Sequence, residues 1–382
     1  MSPPFYFWGM PQLPKKILFT IPNFDTAGSG KAMLKIIQRL NPVLFEPHIA
    51  CNHDRGAFFN VVKSSGVPIH LITTTTSMRN KWKGFWACWK MRKFYQEHQF
   101  DLVHSFHYSD DYSEALSVRL AGKKWVYVKK NMNWGGNGWK LRTMLSHGVL
   151  AQNTDMMKEF FPQSAKVSLC SRGVDLKEFF PQSPSSSLFQ EFGLTNQTKV
   201  ILTVANLVPV KGIEILLNAI EKCNFNPSSD VRLFVVGDDK NEYAEQMKVK
   251  ASQLAIPVIF TGKRLDVSAF HSIAHVFVLP TLNKGRKEGS PVSFLEAMAS
   301  GTYSLGSRIP GIKDQLKELP QQLFEAGNAD ELSQKLNEAL SWDVAELKSK
   351  IDLQLSAIQN GFTIEQEVAR HEAFYRNVLS MD

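Results

Sequence analysis

The chain has 382 residues, of which 43% are hydrophobic and 21% are charged, and its formal net charge is +8. This length exceeds one ordinary core and suits two α/β domains, and the composition lies outside the range of disordered chains. The four cysteines stand far apart without metal-ligand spacing, which argues against a zinc site or disulfide framework and favours a reducing compartment. No secretory leader or run of about 18 uncharged apolar residues is recognisable, so we expect a cytoplasmic protein without a membrane span.

Short apolar, β-branched runs alternate with amphipathic stretches along the chain, which predicts parallel α/β layers. In the first half the predicted strands are 16–21, 47–51, 68–71, 101–104, 125–128 and 148–151, with helices such as 30–40 and 112–120. A serine- and proline-rich stretch at 181–187 has the composition of a linker. Beyond it the predicted strands are 200–204, 231–236, 257–260 and 276–279, with helices near 212–222, 243–254, 291–299 and 363–379.

The charge is unevenly divided between the two halves. Residues 1–180 contain 24 Lys and Arg against 12 Asp and Glu, whereas residues 181–382 contain 20 against 24. A basic first half indicates an anionic partner, and nucleic acid, acidic lipid and a phosphorylated substrate all remain open on this ground.

The most informative segment is 287–301, KEGSPVSFLEAMASG, which follows the predicted strand 276–279. Ser290 suits a helix N-cap and Pro291 the first helical position, so the amides and dipole of the helix start would favour a phosphate. Glu288 precedes this start, and Glu296 lies roughly 8–9 Å further along the axis. A nucleotide along the helix would place its diphosphate at the amides and its ribose at Glu296.

The segment resembles the Glu-x7-Glu signature of glycosyltransferase family 4, the group 1 glycosyl transferases, with its Glu-Gly-x-Pro turn at 288–291 and its Leu-Glu-Ala-Met-Ala run at 295–299. The resemblance implies an α/β chain of the GT-B fold, in which two doubly wound, Rossmann-like domains face each other across a cleft. It implies an N-terminal acceptor-binding domain, 1–180, braced by a C-terminal helix, 362–380, and a donor-binding domain, 181–361.

The implied reaction moves a sugar from a nucleoside-diphosphate sugar to an acceptor hydroxyl and retains the anomeric configuration. Glu288 would hold the donor sugar as a catalytic residue, and Glu296 would hold the ribose. The turn residues Gly289, Ser290, Pro291 and Val292 would complete the donor site. The family needs no metal or cofactor, only a co-substrate linked to UDP or GDP.

A second segment, 201–212, is a buried strand, a loop and then a lysine at a helix start, where a point charge suits a diphosphate. It resembles the family's Gly-Arg-Leu…Lys-Gly motif, which implies that Lys211 contacts the donor diphosphate. Asn206 stands where the family has arginine, and Lys263 or Arg264 is a candidate to replace that charge.

The first half carries weaker signals. Residues 26–31 resemble the glycine loop that approaches the donor from the opposite wall, with Gly28 as its contact. The strand end at 101–107 matches the family's pattern and makes His107 a candidate for acceptor or sugar binding, although packed or surface histidines are equally consistent with it. After the next strand the family has a histidine, whereas this chain offers Lys130 and Asn131 for the contact with the sugar.

A basic aromatic helix is predicted over 81–95. At about 100° per residue, one arc collects Trp82, Phe85, Trp86 and Trp89, and the opposite arc holds Cys88, Met91 and Tyr95. Trp82, Trp86 and Trp89 with Lys83 and Lys90 fit contact with an anionic cytoplasmic leaflet and a lipid-linked acceptor. The alternatives are that both arcs are buried or that the tryptophans line the acceptor cleft.

Other functions compete with glycosyl transfer to a glycan or lipid-linked acceptor. A nucleotide-sugar epimerase shares the architecture, and a non-catalytic nucleotide-sugar-binding protein fits the changes at Asn206 and at the missing histidine. Glu288, Lys211 and Glu296 argue against the latter. The basic surface belongs to no recognised nucleic-acid module, so no nucleic acid partner is expected.

Overall fold

The computed structural model describes residues 13–25, 27–134, 136–225, 229–285 and 289–381. Its first sheet contains β1 Lys15–Thr20, β2 Phe45–Cys51, β3 Ile69–Leu71, β4 Leu102–Ser105, β5 Lys124–Lys129, β6 Gly148–Ala151 and β7 Val167–Leu169. Its second sheet contains β8 Lys199–Val204, β9 Val231–Val236, β10 Val258–Gly262, β11 Val276–Leu279, β12 Tyr303–Ser307 and β13 Leu323–Phe324.

The helices that alternate with these strands follow in chain order. They are α1 Ala27–Ile37, α2 Ala57–Lys63, α3 Lys81–Glu97, α4 Ser113–Leu120, α5 Gly138–Leu145, α6 Thr154–Phe160, α7 Ser186–Phe192, α8 Ile213–Glu221, α9 Glu242–Ala251, α10 Val267–Ile273, α11 Val292–Ala299, α12 Ile312–Gln315, α13 Ala329–Ser341, α14 Val344–Gly361 and α15 Ile364–Leu379. None of the described helices is both long and apolar enough to cross a membrane.

Both sheets have the doubly wound topology. Within the described residues the strand orders are β3-β2-β1-β4-β5-β6-β7 and β10-β9-β8-β11-β12-β13. In each sheet the first strand lies between the second and the fourth, so the loops after the first and fourth strands leave in opposite directions. Such a switch point is where open α/β sheets bind their ligands.

The second sheet is buried on both faces, as parallel strands require. Val200 and Leu202 of β8 pack into one hydrophobic cluster and Ile201 into the other. The residues of β11 alternate in the same way, with Phe277 and Val278 on opposite sides. Burying each such side chain contributes about 1.5–3 kcal/mol, so the central strands of this sheet hold its two faces together.

The strands predicted from apolar periodicity are confirmed to within two residues at their ends. The prediction omitted β7, β12 and β13, which are short or contain glycine and serine. The linker-like stretch also starts a helix, because the Ser185 hydroxyl accepts a hydrogen bond from the amide of Leu188 and caps α7.

Contacts divide the chain into two compact units. One comprises Met1–Val128, Trp134–Leu150 and His371–Asp382, and the other comprises Lys129–Asn133 and Ala151–Arg370. Helix α15 therefore starts in the second unit and ends in the first, where the Tyr375 hydroxyl lies 2.7 Å from Nδ1 of His104. The division into folding domains near residue 180 stays a prediction, because contacts do not measure independent folding.

The start of α15 is fixed in the second unit by a buried ion pair. Glu367 lies 3.1 Å from the guanidinium of Arg172 and accepts a hydrogen bond from the amide of Gly173 at 2.7 Å. Backbone bonds from Val174 to Phe362 and from Ile364 to Val174 complete the joint. These contacts hold the segment 171–175 against the start of α15.

Candidate functional site

The two strongest sequence motifs follow adjacent strands of the second sheet. Strand β11 pairs with β8 in parallel, with Val276 opposite Ile201 and Phe277 opposite Leu202. The carboxyl ends of both strands therefore lie at the same edge of the sheet. The loop that carries Lys211 follows β8, and the turn that begins α11 follows β11.

The lysine loop is fixed to the end of β11. The amide of Leu282 donates to the carbonyl oxygen of Val210 at 2.8 Å. Gly212 has a φ of +67°, and a Cβ atom there would lie 2.0 Å from the carbonyl oxygen of Pro280. Only glycine fits both conditions. Lys211, half-buried at the end of a 3₁₀ turn, is thus held beside the end of β11.

Gly289 is clamped by hydrogen bonds on both sides of its peptide. Its amide donates to the carbonyl oxygen of Lys130 at 2.8 Å, and its own carbonyl oxygen accepts from Nδ2 of Asn153 at 2.6 Å. A side chain would not fit, because a Cβ atom would lie 2.8 Å from both the Lys130 oxygen and Cε of Met156. The sequence motif does not reveal Lys130 and Asn153 as the holders of this turn.

The rest of the turn is held by a buried glutamine. Nε2 of Gln315 donates to Oγ of Ser290 at 3.1 Å and to the carbonyl oxygen of Pro291 at 3.0 Å. The expectation that Ser290 caps the helix and Pro291 is its first residue was wrong by one position. Pro291 is extended, with ψ of 119°, and is itself the N-cap, so α11 begins at Val292. The Ser290 hydroxyl is directed to Gln315 instead of a helix amide.

A second glycine, Gly311, packs against the turn that contains Gly289. Gly311 has a φ of +88°, and a Cβ atom there would lie 2.3 Å from the carbonyl oxygen of Gly289. The turn before α11 is thereby fixed from three directions, which orients the amides of the first helical turn; those amides have no acceptor within the helix.

Two acidic residues define the ends of this arrangement in the sequence. Glu296 is half-buried on α11, four residues after its start, or about 6 Å along the axis. Glu288 lies outside the described residues, so its role stays a prediction. Within the residues that the structure describes, no group of three His, Cys, Asp or Glu side chains is arranged to hold a metal ion.

Asn206, at the position of the missing arginine, and Arg264, a candidate to replace its charge, have different surroundings. Asn206 is exposed in the loop after β8, where the carbonyl oxygen of Leu207 accepts from Nδ2 of Asn241 at 3.0 Å. The guanidinium of Arg264 lies 2.7 Å from Glu191 and 2.8 Å from Asp266, and these two carboxylates raise its pKa. Both carboxylates contact Arg264 just before the start of α10, and its role toward a donor stays a prediction.

The segment after β5 is organised by a buried lysine. The ammonium of Lys129 donates to both oxygens of Asn131 and, at 2.5 Å, to the carbonyl oxygen of Asn133. The Asn131 amide is therefore engaged within its own loop, and its contact with a sugar stays a prediction. Lys130 presents its carbonyl oxygen to Gly289, which ties this loop to the turn before α11.

The glycine loop expected near the amino terminus is helical. Helix α1 begins at Ala27, so Gly28 to Lys31 form its first turns, while Thr26 lies outside the described residues. The expectation of a loop there was wrong, because glycine is tolerated in a first turn whose other residues favour a helix. Gly28 is exposed, and nothing lies within 4 Å of the position of its absent Cβ atom.

His107 belongs to a buried charged cluster in the first unit. Its Nε2 atom lies 3.7 Å from Oε1 of Glu114, which also accepts from the Thr74 hydroxyl at 2.6 Å. Oε2 of Glu114 accepts from the indole of Trp125 at 3.1 Å. The fully buried guanidinium of Arg142 donates to the carbonyl oxygen of His107 at 3.2 Å. His107 is thus buried among these partners, and its contact with an acceptor or a sugar stays a prediction.

No pattern in the sequence indicates Glu114 or Arg142 as buried residues. Each stands among helical residues where a charge ordinarily faces solvent. Burial opposes ionisation of Glu114, but the positive charge of His107 and hydrogen bonds from Ser105 and Thr74 outweigh it and hold the pKa below 4.5. Burial lowers the pKa of Arg142, and the carboxylate of Glu114 opposes that shift.

Comparison with known proteins places these features in a family context. Residues 185–353, which include Lys211 and Glu296, match the family described as glycosyl transferases group 1. The chain is 26% identical over 203 residues to N-acetyl-α-D-glucosaminyl L-malate synthase of Bacillus anthracis, which covers 52% of this chain and 50% of that protein. The chain spans about half the length of the curated relatives it matches.

Solved structures match over nearly the whole chain. A glycosyltransferase from Rickettsia africae covers 97% of this chain and 100% of its own, with a TM-score of 0.84 and 15% identity. HepE of Anabaena, in complex with UDP-glucose, covers 96% of this chain and 99% of its own, with a TM-score of 0.77 and 18% identity. The chain has the GT-B fold. The fold class predicted from the sequence is therefore confirmed.

Replacing Gly311 by alanine should lower the free energy of unfolding by about 2 kcal/mol or more, because the new side chain meets the Gly289 oxygen at an unfavourable φ. Urea unfolding measures the change. Gly361→Ala is the matched control, since nothing lies within 4 Å of that position, and it should be neutral or slightly stabilising. Equal stability of the two variants would contradict the clamp at Gly289.

Replacing Glu114 by glutamine should destabilise the protein by about 2 kcal/mol or more at neutral pH, because it removes a buried charge partner. Because the pKa of Glu114 is lowered in the folded state, its carboxylate stabilises the protein at a pH above about 4.5. This stabilisation is lost as the pH falls through the lower pKa of the folded state. The difference from wild type should therefore shrink below a pH of about 4.5 in urea titrations. Exposed Glu97→Gln should show no such change, and a pH-independent deficit in Glu114→Gln would refute the charge coupling.

Proposed function

We propose that this protein transfers a sugar from a nucleoside-diphosphate sugar to an acceptor hydroxyl, with retention of the anomeric configuration. The observation that supports it best is the pairing of the Lys211 loop with the start of α11 at the ends of β8 and β11. Both are fixed by backbone hydrogen bonds and by glycines that admit no side chain. The match of residues 185–353 to group 1 glycosyl transferases covers this arrangement.

The chemistry follows from where charge develops. When the bond between the anomeric carbon and the diphosphate breaks, negative charge grows on the leaving phosphate oxygen. The Lys211 ammonium and the amides at the start of α11 would stabilise that charge without reorganising, because their loops are already fixed. Lys211 thus acts on the leaving group, and the departing diphosphate can accept the proton of the acceptor hydroxyl.

The carboxylates would orient the two ends of the donor. Glu296, about 6 Å along α11 from its start, is placed to accept hydrogen bonds from ribose hydroxyls while the diphosphate lies at the helix amides. The resemblance assigns Glu288 to the donor sugar. It also supports retention, and no protein nucleophile is assigned to this reaction.

The donor and the acceptor are proposed by their chemical class. The UDP-glucose complex of HepE supports a uridine donor, with GDP as the alternative base. The acceptor is proposed to be a glycan or lipid-linked saccharide at the cytoplasmic face of a membrane. An epimerase on the same fold would convert the donor without any acceptor, and a non-catalytic relative would bind nucleotide and convert nothing.

Calorimetric titration of UDP and GDP should show micromolar binding of one nucleotide to the wild type, weakened roughly tenfold or more by Glu296→Ala and by Lys211→Ala. The matched controls are Glu221→Ala and Lys317→Ala, both at exposed helical or loop positions, and they should bind as the wild type does. Binding of neither nucleotide by a folded protein would contradict the proposal.

A second measurement separates the proposed functions once a nucleotide binds. The anomeric configuration of the transferred sugar, read by NMR, should match that of the donor. Inversion would contradict the retaining mechanism, and appearance of the donor's epimer without an acceptor would establish the epimerase instead. Lys211→Ala should reduce kcat by roughly 100-fold or more if the lysine stabilises the leaving diphosphate.

A further inference from the structure

Helix α3 presents an aromatic face to solvent. The aromatic face consists of Trp82, Phe85, Trp86 and Trp89, whose side chains are 80%, 38%, 58% and 37% exposed. Single exposed apolar residues are ordinary, but four large rings along one helix are a continuous patch, and such patches mark interaction sites. The expectation that one arc of this helix stays exposed is confirmed, and the alternative in which both arcs are buried is wrong.

The orientation of this face is fixed by the other side of the helix. Gly84, Cys88 and Tyr95 are buried, and they lie on the arc opposite the aromatic face. The Cys88 thiol donates to the carbonyl oxygen of Ser113 at 3.4 Å, next to the first turn of α4. A Cβ atom at Gly84 would lie 2.6 Å from Sδ of Met78 and 3.0 Å from the carbonyl oxygen of Ser77, so the amino-terminal turn is packed closely against the preceding segment. The helix therefore cannot roll to bury its tryptophans in its own unit.

The aromatic face is bordered by cations on both sides. At about 100° per residue, Lys83 and Lys90 lie on one side of the stripe and Lys81 and Arg92 on the other. Lys93 continues the stripe at its carboxyl end. The helix carries five basic residues against one acidic residue, Glu97, which stands at its last position.

The rings are also ordered before any partner arrives. Phe85 stacks on Trp89 at a centroid distance of 6.4 Å, and the guanidinium of Arg92 lies 3.5 Å from the Trp89 ring centroid. Ordered aromatic rings lose little entropy on binding. Lysine stems beside them keep their ammonium groups in water while their methylenes cover apolar surface.

We propose that the aromatic face of α3 docks on the surface of an anionic lipid bilayer. The indole rings would enter the boundary between headgroups and acyl chains, and the flanking lysines would meet lipid phosphates on both sides of the helix. A protein partner fits less well, because lysine is depleted in the centres of protein interfaces, whereas cations on both flanks of an aromatic stripe match a flat anionic surface. Docking is independent of the proposed transfer reaction and is tested without a nucleotide.

Co-sedimentation with vesicles tests the proposal on the full chain. Vesicles of phosphatidylglycerol and phosphatidylcholine should bind the protein at low salt, and vesicles of phosphatidylcholine alone should bind it far less. Trp82→Ser combined with Trp86→Ser should weaken binding roughly tenfold or more at every salt concentration. Lys83→Glu combined with Lys90→Glu should weaken binding mainly at low salt, where charge attraction is unscreened.

Matched variants on the second unit control for nonspecific effects. Leu265→Ser combined with Val344→Ser removes two side chains that are 95% and 85% exposed, and Lys317→Glu reverses an exposed charge. These variants should bind vesicles as the wild type does, and thermal unfolding should show that all variants are folded. The proposal is overturned if the wild type ignores anionic vesicles at low salt, or if the tryptophan variant binds them undiminished. Loss of turnover on a water-soluble acceptor with undiminished vesicle binding would place the face in an acceptor site instead.

Discussion

The arrangement of the candidate site depends on the clamped peptide of Gly289. Its amide is bonded to Lys130 and its carbonyl to Asn153, and Gly311 lies against the same oxygen. Without these contacts the turn before α11 would be an ordinary surface loop, and the direction of the helix amides would be undefined. A Cβ atom at Gly289 would lie within 3.2 Å of three neighbours, so only glycine lets this turn be held in one conformation before α11.

The doubly wound sheet explains why the clamp lies beside Lys211. Parallel pairing of β8 with β11 brings two segments 80 residues apart to one sheet edge, and both are held by backbone contacts and not by flexible side chains. Preorganisation of this kind matters for phosphate chemistry, where catalysis is mostly electrostatic. Helix α3, which carries the aromatic face, belongs to the first unit.

Several charged side chains are buried inside the protein, where they hold neighbouring residues in position. Glu114 and Arg142 surround His107, Lys129 orders the loop after β5, and Glu367 ties the 171–175 turn to α15. Buried charges are costly unless paired and hydrogen-bonded, so each of these groups fixes one local geometry. The packing also gives partners to two candidates from the sequence: Arg264 pairs with Glu191 and Asp266, and His107 lies beside Glu114, while the roles of both at the site stay predictions.

The sequence by itself determined the architecture and the principal motifs. Nearly continuous apolar runs such as 231–236 and 276–279 indicate burial on both faces, and helix signals around 292–299 depend on neighbouring residues, so both can be read locally. The structure decided the partners of Gly289 and the helix start at Val292, before which Gln315 binds Ser290, because pairing between residues distant in the chain leaves no periodic trace in a single sequence. The helical state of Gly28 and the capping of α7 by Ser185 are local features, and there the glycine- and serine-rich composition predicted a loop and a linker instead. The sequence of α3 likewise allows either of two arcs to face the solvent. The burial of Cys88 and Tyr95 leaves the arc that contains Trp82 exposed.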